Sequence, residues 1–201
     1  MGEEVADRRD LARPPSSPLI LASTSPQRRA ILEQLRIPFD VVRPDYEEEP
    51  GVDPVEHARA KARSVARVAG DGPVLGVDTE VLCDGRLFGK PRDEEDAAEM
   101  LNALSGRTHE VVSGLCLLTP AWEESGREVT RVSFRTLTPR DVAMYVAADE
   151  WRGRAGAYAV QGFGASLVER IEGDYLNIVG LPASLLVRLL AERFSGTYGF
   201  G

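Results

Sequence analysis

The sequence predicts a domain of the α/β class, in which a mixed, twisted β-sheet is covered by helices. Segments with strand patterns alternate along the chain with segments of helical periodicity, and this alternation is typical of the class. Several consecutive strand segments are separated only by short turns, which indicates antiparallel pairs within the same sheet. The chain has 201 residues, of which 43% are hydrophobic, enough to bury one large core or the cores of two lobes.

The first part of this domain is predicted to begin with a buried strand at "PLILAS" and a helix over "SPQRRAILEQL". Ser25 suits the N-cap position, and Pro26 suits the first helical position because its missing N–H is not needed there. A second strand is expected at "FDVVRP". A longer helix over "PVEHARAKARSVARVA" places Ala58 and Ala62 on its core face, with Lys61 between that face and a stripe of arginines.

The middle of the chain contains a predicted hairpin, "PVLGVDTEVLCDGRLFGKP", which turns at an Asp-Gly pair. A two-residue turn at that pair places Thr79 opposite Lys90. Because side chains alternate between the two faces of a strand, Asp78 should point to the opposite face from both of them. A bend or a bulge would therefore be needed for these three residues to share one cleft.

The last part is predicted to contain helices at "RDEEDAAEMLNALSG", "TPRDVAMYVAADE" and "PASLLVRLLAERF". Strands are expected at "HEVVSGLCLLTP" and "REVTRVSFRTL", joined by a polar loop around "AWEESG", and a further hairpin at "ASLVERIEGDYLNIVG" should turn at residues 172–174. We expect residues 1–17 to be a flexible N-terminal tail, residues 18–194 to be the folded domain, and residues 195–201 to be a C-terminal tail.

Composition excludes several classes of function. The formal net charge of -8 argues against sequence-independent nucleic-acid binding, which needs a basic surface. The two cysteines lie in apolar runs without CxxC spacing, as expected of reduced thiols in a cytoplasmic protein. The two histidines belong to no zinc motif, and neither a secretory leader nor a membrane-spanning run is present, so no membrane partner is expected.

Two features of the sequence suggest chemistry. The free N–H groups of a helix N-terminus bind anions, and in "STSPQRR" the hydroxyls of Ser23 and Ser25 and the guanidinium of Arg28 could grip a phosphate. The alternative is a well-capped surface helix with solvated arginines. Asp78 lies within an apolar strand, where an unpaired carboxylate is unfavourable. It is therefore a functional candidate, or else an aspartate at a strand bend bonded to backbone.

Two further stretches could bind a ligand. The acidic "YEEE", which includes Glu48, could supply oxygen ligands to a metal or form a solvated loop. In the glycine-rich "GAYAVQGFGASL", Gln161 could hydrogen-bond a base edge where glycines let the backbone approach a ligand. The alternative for this stretch is a tight structural loop.

In their order along the chain, these segments resemble the Maf family of nucleotide pyrophosphatases, also described as septum-formation inhibitors. The matching stretches include "LILASTSPQRRAILEQL", "GVDTEVLCDGRLFGKPRDEEDAAEMLNALSGRTHEVVSG" and "GRAGAYAVQGFGASLVERIEGDYLNIVGLP". The resemblance implies an elongated, two-lobed α/β fold with a central cleft, similar to that of inosine triphosphate pyrophosphatases, and a homodimer. It also implies hydrolysis of a nucleoside triphosphate to the monophosphate and pyrophosphate with a divalent cation, Mg²⁺ or Mn²⁺.

The resemblance also implies roles for individual residues. Asp78 corresponds to the family's proton acceptor, and Glu48 to an acidic residue for which we expect metal binding. The family's phosphate-binding positions correspond to Ser23, Arg28, Lys61 and Lys90. Of these, we expect Lys61 and Lys90 to assist catalysis. The N–H groups of the helix that begins after Ser25 should also face the phosphates. Base choice corresponds to Gln27, Thr79 and Gln161.

The residues at the base-choice positions favour the family branch that acts on dTTP and UTP. Thr79 and Gln161 agree with that branch, whereas Gln27 stands where its members often have arginine. The branch acting on 7-methyl-GTP tends to have an aromatic residue at that position, and Gln and Glu at the other two. Alternatives are thus a 7-methyl-GTP pyrophosphatase, an enzyme acting on ITP or XTP, and a nucleotide-binding regulator of septum formation without turnover.

Overall fold

The computed structural model describes residues 18–49 and 51–201, so the tail predicted at residues 1–17 lies outside the described residues. The predicted α/β class, with a mixed sheet flanked by helices, is confirmed. The strands and α-helices of the described chain follow the order β1 (Leu19–Ala22), α1 (Pro26–Gln34), β2 (Phe39–Val41), α2 (Pro54–Ala69), β3 (Val74–Cys83), β4 (Arg86–Phe88), α3 (Glu94–Leu104), β5 (Thr108–Leu118), β6 (Glu123–Phe134), α4 (Pro139–Ala147), β7 (Val168–Glu172), α5 (Tyr175–Val179) and α6 (Ala183–Phe194).

One seven-stranded sheet forms the centre of the fold, with the strand order β2-β1-β3-β5-β6-β7 and with β4 beside β3. The pairs of β1 with β2 and with β3 are parallel, and the other pairs are antiparallel. The predicted hairpin between β3 and β4 is present, and Cys83 pairs with Arg86 across the turn. Asp84 and Gly85 have φ angles of 49° and 77°, as the tightest hairpin turns require.

One edge of β3 has an unpaired stretch, which we call the β3 gap and which comprises residues 77–80. On this edge β1 pairs with β3 as far as Gly76, and β4 begins to pair only at Val81. On the other edge β5 pairs with β3 without interruption from Val74 to Leu82. Among the strands that the structure describes, none covers the β3 gap, so it opens into the space between β1 and β4.

The β3 gap resolves the question of alternation that the sequence raised. The ladder between β3 and β4 ends at Phe88, so the expected pairing of Thr79 with Lys90 is not formed. No bulge interrupts β3 opposite β5, and the side chains keep their strict alternation. Because the edge is open, side chains from both faces of β3 nevertheless reach the same cleft.

The hydrophobic core consists of two large clusters connected by β3 and a smaller cluster between α2 and the sheet that includes Ala62 and Val74. Leu75 and Val77 lie in a cluster with side chains of β1, α1 and α6. Val81 and Cys83 lie in a second cluster with side chains of α3, α4 and the segment around Tyr158. The β3 gap begins at Val77 in the first of the two large clusters and ends just before Val81 in the second, so these two clusters lie on either side of the gap.

Two glycines allow α2 to lie directly on the sheet. A Cβ atom at Gly76 would stand 2.0 Å from the carbonyl oxygen of Ala58, and one at Gly114 would stand 2.2 Å from that of Pro54. No side chain fits there, so the backbone of α2 contacts the strands themselves. This close approach brings Lys61 over Asp78.

Two predicted elements of the last part are wrong. Residues 175–179 do not form the second strand of a hairpin; they form α5, because Asp174 accepts hydrogen bonds from the N–H groups of Leu176 and Asn177 and so starts a helix. The polar stretch around "AWEESG" is not a loop throughout, because β6 already begins at Glu123.

The segment 195–201 contributes the buried side chain of Tyr198 to the cluster that includes α6. The described residues contain no helix that is long and apolar enough to cross a membrane.

Candidate active site

A cleft of about 360 Å³ opens at the β3 gap. One wall is formed by the loop from β1 into α1, and the opposite wall includes Arg154 and Tyr158 from the segment between α4 and β7. The loop after β2 and the helix α2 contribute Glu48 and Lys61, and Lys90 follows β4. Most of the side chains that face the cleft and carry a charge are cationic, which suits an anionic ligand.

The wall beside α1 is held by Arg28. Its Nε donates a hydrogen bond to the carbonyl oxygen of Gly180 at 2.9 Å. Its Nη1 and Nη2 donate to Ser23 Oγ at 3.1 Å and to Thr79 Oγ1 at 3.3 Å. Burial lowers the pKa of Arg28, while the negative charges of Asp78 and Glu48 raise it, so the net direction is downward from a very high normal value. Arg28 therefore presents a fixed guanidinium cation to the cleft.

Ser25 occupies the N-cap position of α1 with Pro26 after it, as the sequence predicted. Its side chain does not cap the helix, however, because its hydroxyl donates to Gln27 Oε1 at 3.1 Å. Ser25, Gln27 and Arg28 all line the cleft. An anion bound there would meet a helix N-terminus that no side chain has capped.

The cleft also contains an ion-paired triad of Glu48, Lys61 and Asp78. Lys61 Nζ lies 2.5 Å from Asp78 Oδ1 and 2.5 Å from Glu48 Oε1. The side chains of Lys61 and Asp78 are only 6% and 8% exposed, whereas that of Glu48 is 49% exposed. Asp78 is thus neither an unpaired carboxylate nor a backbone-bonded strand bend, because its charge is met by a buried ammonium group.

The pKa of Glu48 is set by several charged groups of the cleft. Burial raises its pKa, but the hydrogen bond from Lys61 and the charges of Lys61, Lys90 and Arg28 oppose this, and the net shift is downward. Glu48 therefore stays ionised under mildly acidic conditions. These three cations come from separate parts of the chain, so the field at Glu48 is a property of the fold and not of one motif.

All predicted site residues except Gln161 line the cleft; the residues brought together are Ser23, Ser25, Gln27, Arg28, Glu48, Lys61, Asp78, Thr79 and Lys90. Gln161 is exposed on a turn and is not among the lining residues. The glycines that follow it serve close packing, since a Cβ atom at Gly164 would stand 2.5 Å from the carbonyl oxygen of Ala159.

Sequence reasoning missed several residues of this region. Arg154 lines the cleft, and its Nε is buried without a hydrogen-bond partner among the described residues. His57 and Glu80 lie next to Asp78 although neither was assigned a role. A helical spacing of four links His57 to Lys61, and a strand spacing of two links Glu80 to Asp78. These spacings are visible in the sequence once Lys61 and Asp78 are known to face each other.

Residues 18–193 match the family model described as Maf-like protein. The chain belongs to the Maf-like protein family. The match covers the described domain almost from β1 to the end of α6, so every wall of the cleft lies within the Maf-like region.

Curated relatives of this Maf-like chain share a common description. A protein of Deinococcus radiodurans described as dTTP/UTP pyrophosphatase is 44% identical over 188 residues, covering 91% of this chain and 95% of its own length. Proteins with the same description from Pyrococcus furiosus and Syntrophomonas wolfei are 42% identical over 180 residues and 44% identical over 181 residues. Each of these two covers 86% of this chain, with 93% and 96% of its own length covered.

Proposed function

We propose that this protein is a nucleoside triphosphate pyrophosphatase that hydrolyses dTTP and UTP to the monophosphate and pyrophosphate. The observation that carries the proposal is the buried pair of Asp78 and Lys61 at the β3 gap, in a cleft that also presents Arg28 and Lys90. This arrangement combines a carboxylate acceptor with cations for a polyphosphate. The relatives described as dTTP/UTP pyrophosphatases support the choice of nucleotide.

In the proposed reaction, water attacks the α-phosphorus and pyrophosphate leaves. A bond forms between the water oxygen and the phosphorus, and the bond from the phosphorus to the α,β-bridging oxygen breaks. Asp78 orients the water and accepts its proton. Lys61, Lys90 and Arg28 offset the negative charge of the triphosphate, and the open N-terminus of α1 adds N–H donors. Catalysis of this kind depends mainly on positioning and on neutralising charge.

We propose that the reaction uses a divalent cation, Mg²⁺ or Mn²⁺. The cleft fits such an ion because the carboxylates of Glu48 and Asp78 converge on one point, now met by Lys61 Nζ, and offer the hard oxygen ligands that these cations prefer. When bound, the cation would neutralise charge on the phosphate oxygens. Glu48 would hold it from the outer side of the cleft, and Asp78 from the β3 gap.

Base choice is assigned to the α1 side of the cleft. Thr79 Oγ1 lies 2.9 Å from Ser113 Oγ and accepts from Arg28, so its hydroxyl has a fixed position at the edge of the gap. Gln27 is held by Ser25. A base-reading role for Gln161 stays a prediction, and Gln161→Glu tests it: use of dTTP and UTP should weaken, and an unchanged nucleotide profile would argue against the role.

A panel of nucleotides tests the proposal directly. The full-length protein is incubated with dTTP, UTP, 7-methyl-GTP, ITP and XTP in the presence of Mg²⁺ or Mn²⁺, and released pyrophosphate is measured. We expect the highest kcat/KM for dTTP and UTP. A preference for 7-methyl-GTP would select the 7-methyl-GTP pyrophosphatase alternative, and a preference for ITP or XTP would select the alternative of an enzyme acting on those nucleotides. Nucleotide binding with no turnover of any of them would favour a regulator of septum formation.

We also propose that the protein is a cytoplasmic homodimer. This follows from the family resemblance and from the absence of disulfide spacing in the sequence. Both cysteines of the chain, Cys83 and Cys116, are buried and free, and burial raises the pKa of Cys116 to about 12, which keeps its thiol protonated. Light scattering on the eluate of a size-exclusion column would give the mass of the particle, and a monomer across the micromolar range would contradict the dimer.

A further inference from the structure

A second group of polar side chains lies next to Asp78 on the face of β3 that α2 covers. One potential ligand atom from each of His57, Asp78 and Glu80 lies within 4.8 Å of the others. Asp78 and Glu80 share this face because they are two residues apart on one strand. His57 lies one helical turn before Lys61 and so reaches the same face from α2.

The bonds of this group are incomplete. His57 is 2% exposed, and the one hydrogen bond of its imidazole ring among the described residues joins Nδ1 to the hydroxyl of Tyr46 at 2.8 Å. Glu80 is partly buried, and its side chain has no ion pair or hydrogen bond with the described part of the chain. Lys61 contacts only one oxygen of Asp78, and it shares its single charge with Glu48. An imidazole nitrogen and three carboxylate oxygens of this group therefore have no partner among residues 18–49 and 51–201.

We infer that His57, Asp78 and Glu80 form a divalent cation site that favours a transition metal such as Mn²⁺ or Co²⁺ over Mg²⁺. Asp78 and Glu80 carry like charges on the same face of β3, and a bound cation would neutralise both. No hydrogen bond joins the three groups within the described chain, and their ligand atoms lie near enough to close around one ion. This site differs from the cation position proposed between Glu48 and Asp78, and the two positions share only Asp78.

The imidazole sets the preference for the metal. Mg²⁺ binds oxygen ligands and keeps much of its water, whereas imidazole nitrogen suits first-row transition metals. The hydroxyl of Tyr46 fixes the ring of His57 by its bond to Nδ1, which leaves Nε2 as the ligand nitrogen. Partners of this kind orient metal-binding histidines and raise their affinity for the ion. Tyr46 is therefore a positioning residue of the site.

A role of this cation site in turnover rests on the proposed function. Cation binding by the nucleotide-free protein does not depend on that function. Because Asp78 belongs both to the cleft and to the cation site, an ion at His57 and Glu80 would fix the carboxylate that faces the water. The site thus connects the metal content of the protein to the position of its catalytic carboxylate.

Isothermal titration of Mn²⁺ into the full-length, nucleotide-free protein tests the site. We expect one equivalent to bind, and the Kd to rise at least 10-fold in both His57→Leu and Glu80→Gln. Glu56→Gln is the matched control, because Glu56 precedes His57 on α2 but is exposed and its side chain pairs with Arg59, and its Kd should stay within twofold of the wild type. Circular dichroism identifies any variant that fails to fold. If His57→Leu does not fold, the conservative variant Glu80→Gln still tests the site.

A spectroscopic measurement identifies the ligand. Electron spin echo envelope modulation of the Mn²⁺-loaded wild type should show coupling to a histidine nitrogen, and His57→Leu should remove it. The other histidine, His109, bonds Tyr158 within the distant aromatic cluster and gives no such signal. Unchanged Mn²⁺ affinity in both folded variants, or no nitrogen coupling in the wild type, would overturn the site.

The pyrophosphate assay separates this inference from the proposed function. If the wild type hydrolyses dTTP while both variants bind Mn²⁺ normally, the function stands and the cation site fails. If the wild type hydrolyses none of the nucleotides but loses Mn²⁺ binding in both variants, the cation site stands and the function fails.

Discussion

The two faces of β3 differ in what they contribute, although they belong to the same ten-residue strand. On one face Leu75 and Val77 are fully buried in the cluster that includes α6, and Thr79 continues this face into the cleft with a completely bonded hydroxyl. On the other face Gly76, Asp78 and Glu80 lie under α2 with charges that are only partly paired. One face of the strand therefore stabilises the fold, and the other holds the reactive groups.

The largest effect should come from the reactive face. Asp78→Asn removes the acceptor for the proton of water, and we expect kcat for pyrophosphate release to fall about 10³-fold. Asparagine has nearly the same shape and Glu48 still pairs with Lys61, so the thermal midpoint should change by only a few degrees. Asp84→Asn, in the exposed turn after β3, is the control and should retain full activity. Turnover of Asp78→Asn within tenfold of the wild type would refute the assignment.

The second effect concerns the contact of this face with α2. Gly76→Ala places a Cβ atom 2.0 Å from the backbone oxygen of Ala58, so the helix must move off the sheet. We expect a loss of about 3 kcal/mol in the free energy of unfolding, measured by urea denaturation, together with lower activity as Lys61 is displaced. Gly72→Ala is the control, since its nearest neighbours would be at 3.4 to 3.5 Å. Equal stability of the two variants would contradict this packing.

The third effect belongs to the stabilising face. Val77→Ala removes two methyl groups from a fully buried site, and we expect the free energy of unfolding to fall by about 2 kcal/mol. Val129→Ala, at a position that is 39% exposed, should cost under 1 kcal/mol. The comparison of the faces predicts that Val77→Ala leaves kcat for pyrophosphate release nearly unchanged. A fall in kcat as large as that of Asp78→Asn would show that the two faces are not separate.

The smallest effect is expected at Thr79, where the stabilising face meets the cleft. Thr79→Val keeps the shape but removes the hydroxyl bonded to Ser113 and Arg28, which should change KM for dTTP by three- to tenfold. Thr79→Ser retains the hydroxyl and should stay within twofold of the wild type. If the two variants had identical kinetics with dTTP and UTP, the hydroxyl of Thr79 would have no role in base choice.

Much of the fold could be predicted from local patterns in the sequence. The helix over residues 54–69 and the turn at Asp84 and Gly85 follow from short-range periodicity and from residues with strong turn preferences. The stretch "DYLNIVG" was misassigned because its apolar residues fit a strand equally well, and the cap supplied by Asp174 decides for a helix. Short apolar runs are ambiguous in this way until a cap is recognised.

Residues of the candidate site could be predicted only where they belong to a recognisable sequence motif. Ser23, Arg28 and Asp78 stand in recognisable stretches, and the structure brings them to one cleft. The group of His57 and Glu80 was missed because each residue looks like a surface residue within its own element. Their proximity depends on the register of α2 against β3, which is set by glycines at positions 76 and 114 and is not encoded in any single stretch.

The β3 gap also leaves main-chain donors and acceptors without a neighbouring strand, and these groups belong to the backbone and not to any one side chain. A ligand seated there can complete the hydrogen bonds of residues 77–80, much as an added strand completes the edge of a sheet. Occupancy of the cleft should therefore slow the exchange of amide hydrogens in this stretch. Because the ligand would bind the folded chain and not the unfolded one, the nucleotide would act as a missing piece of the fold, and its concentration would help to set how long the protein stays folded.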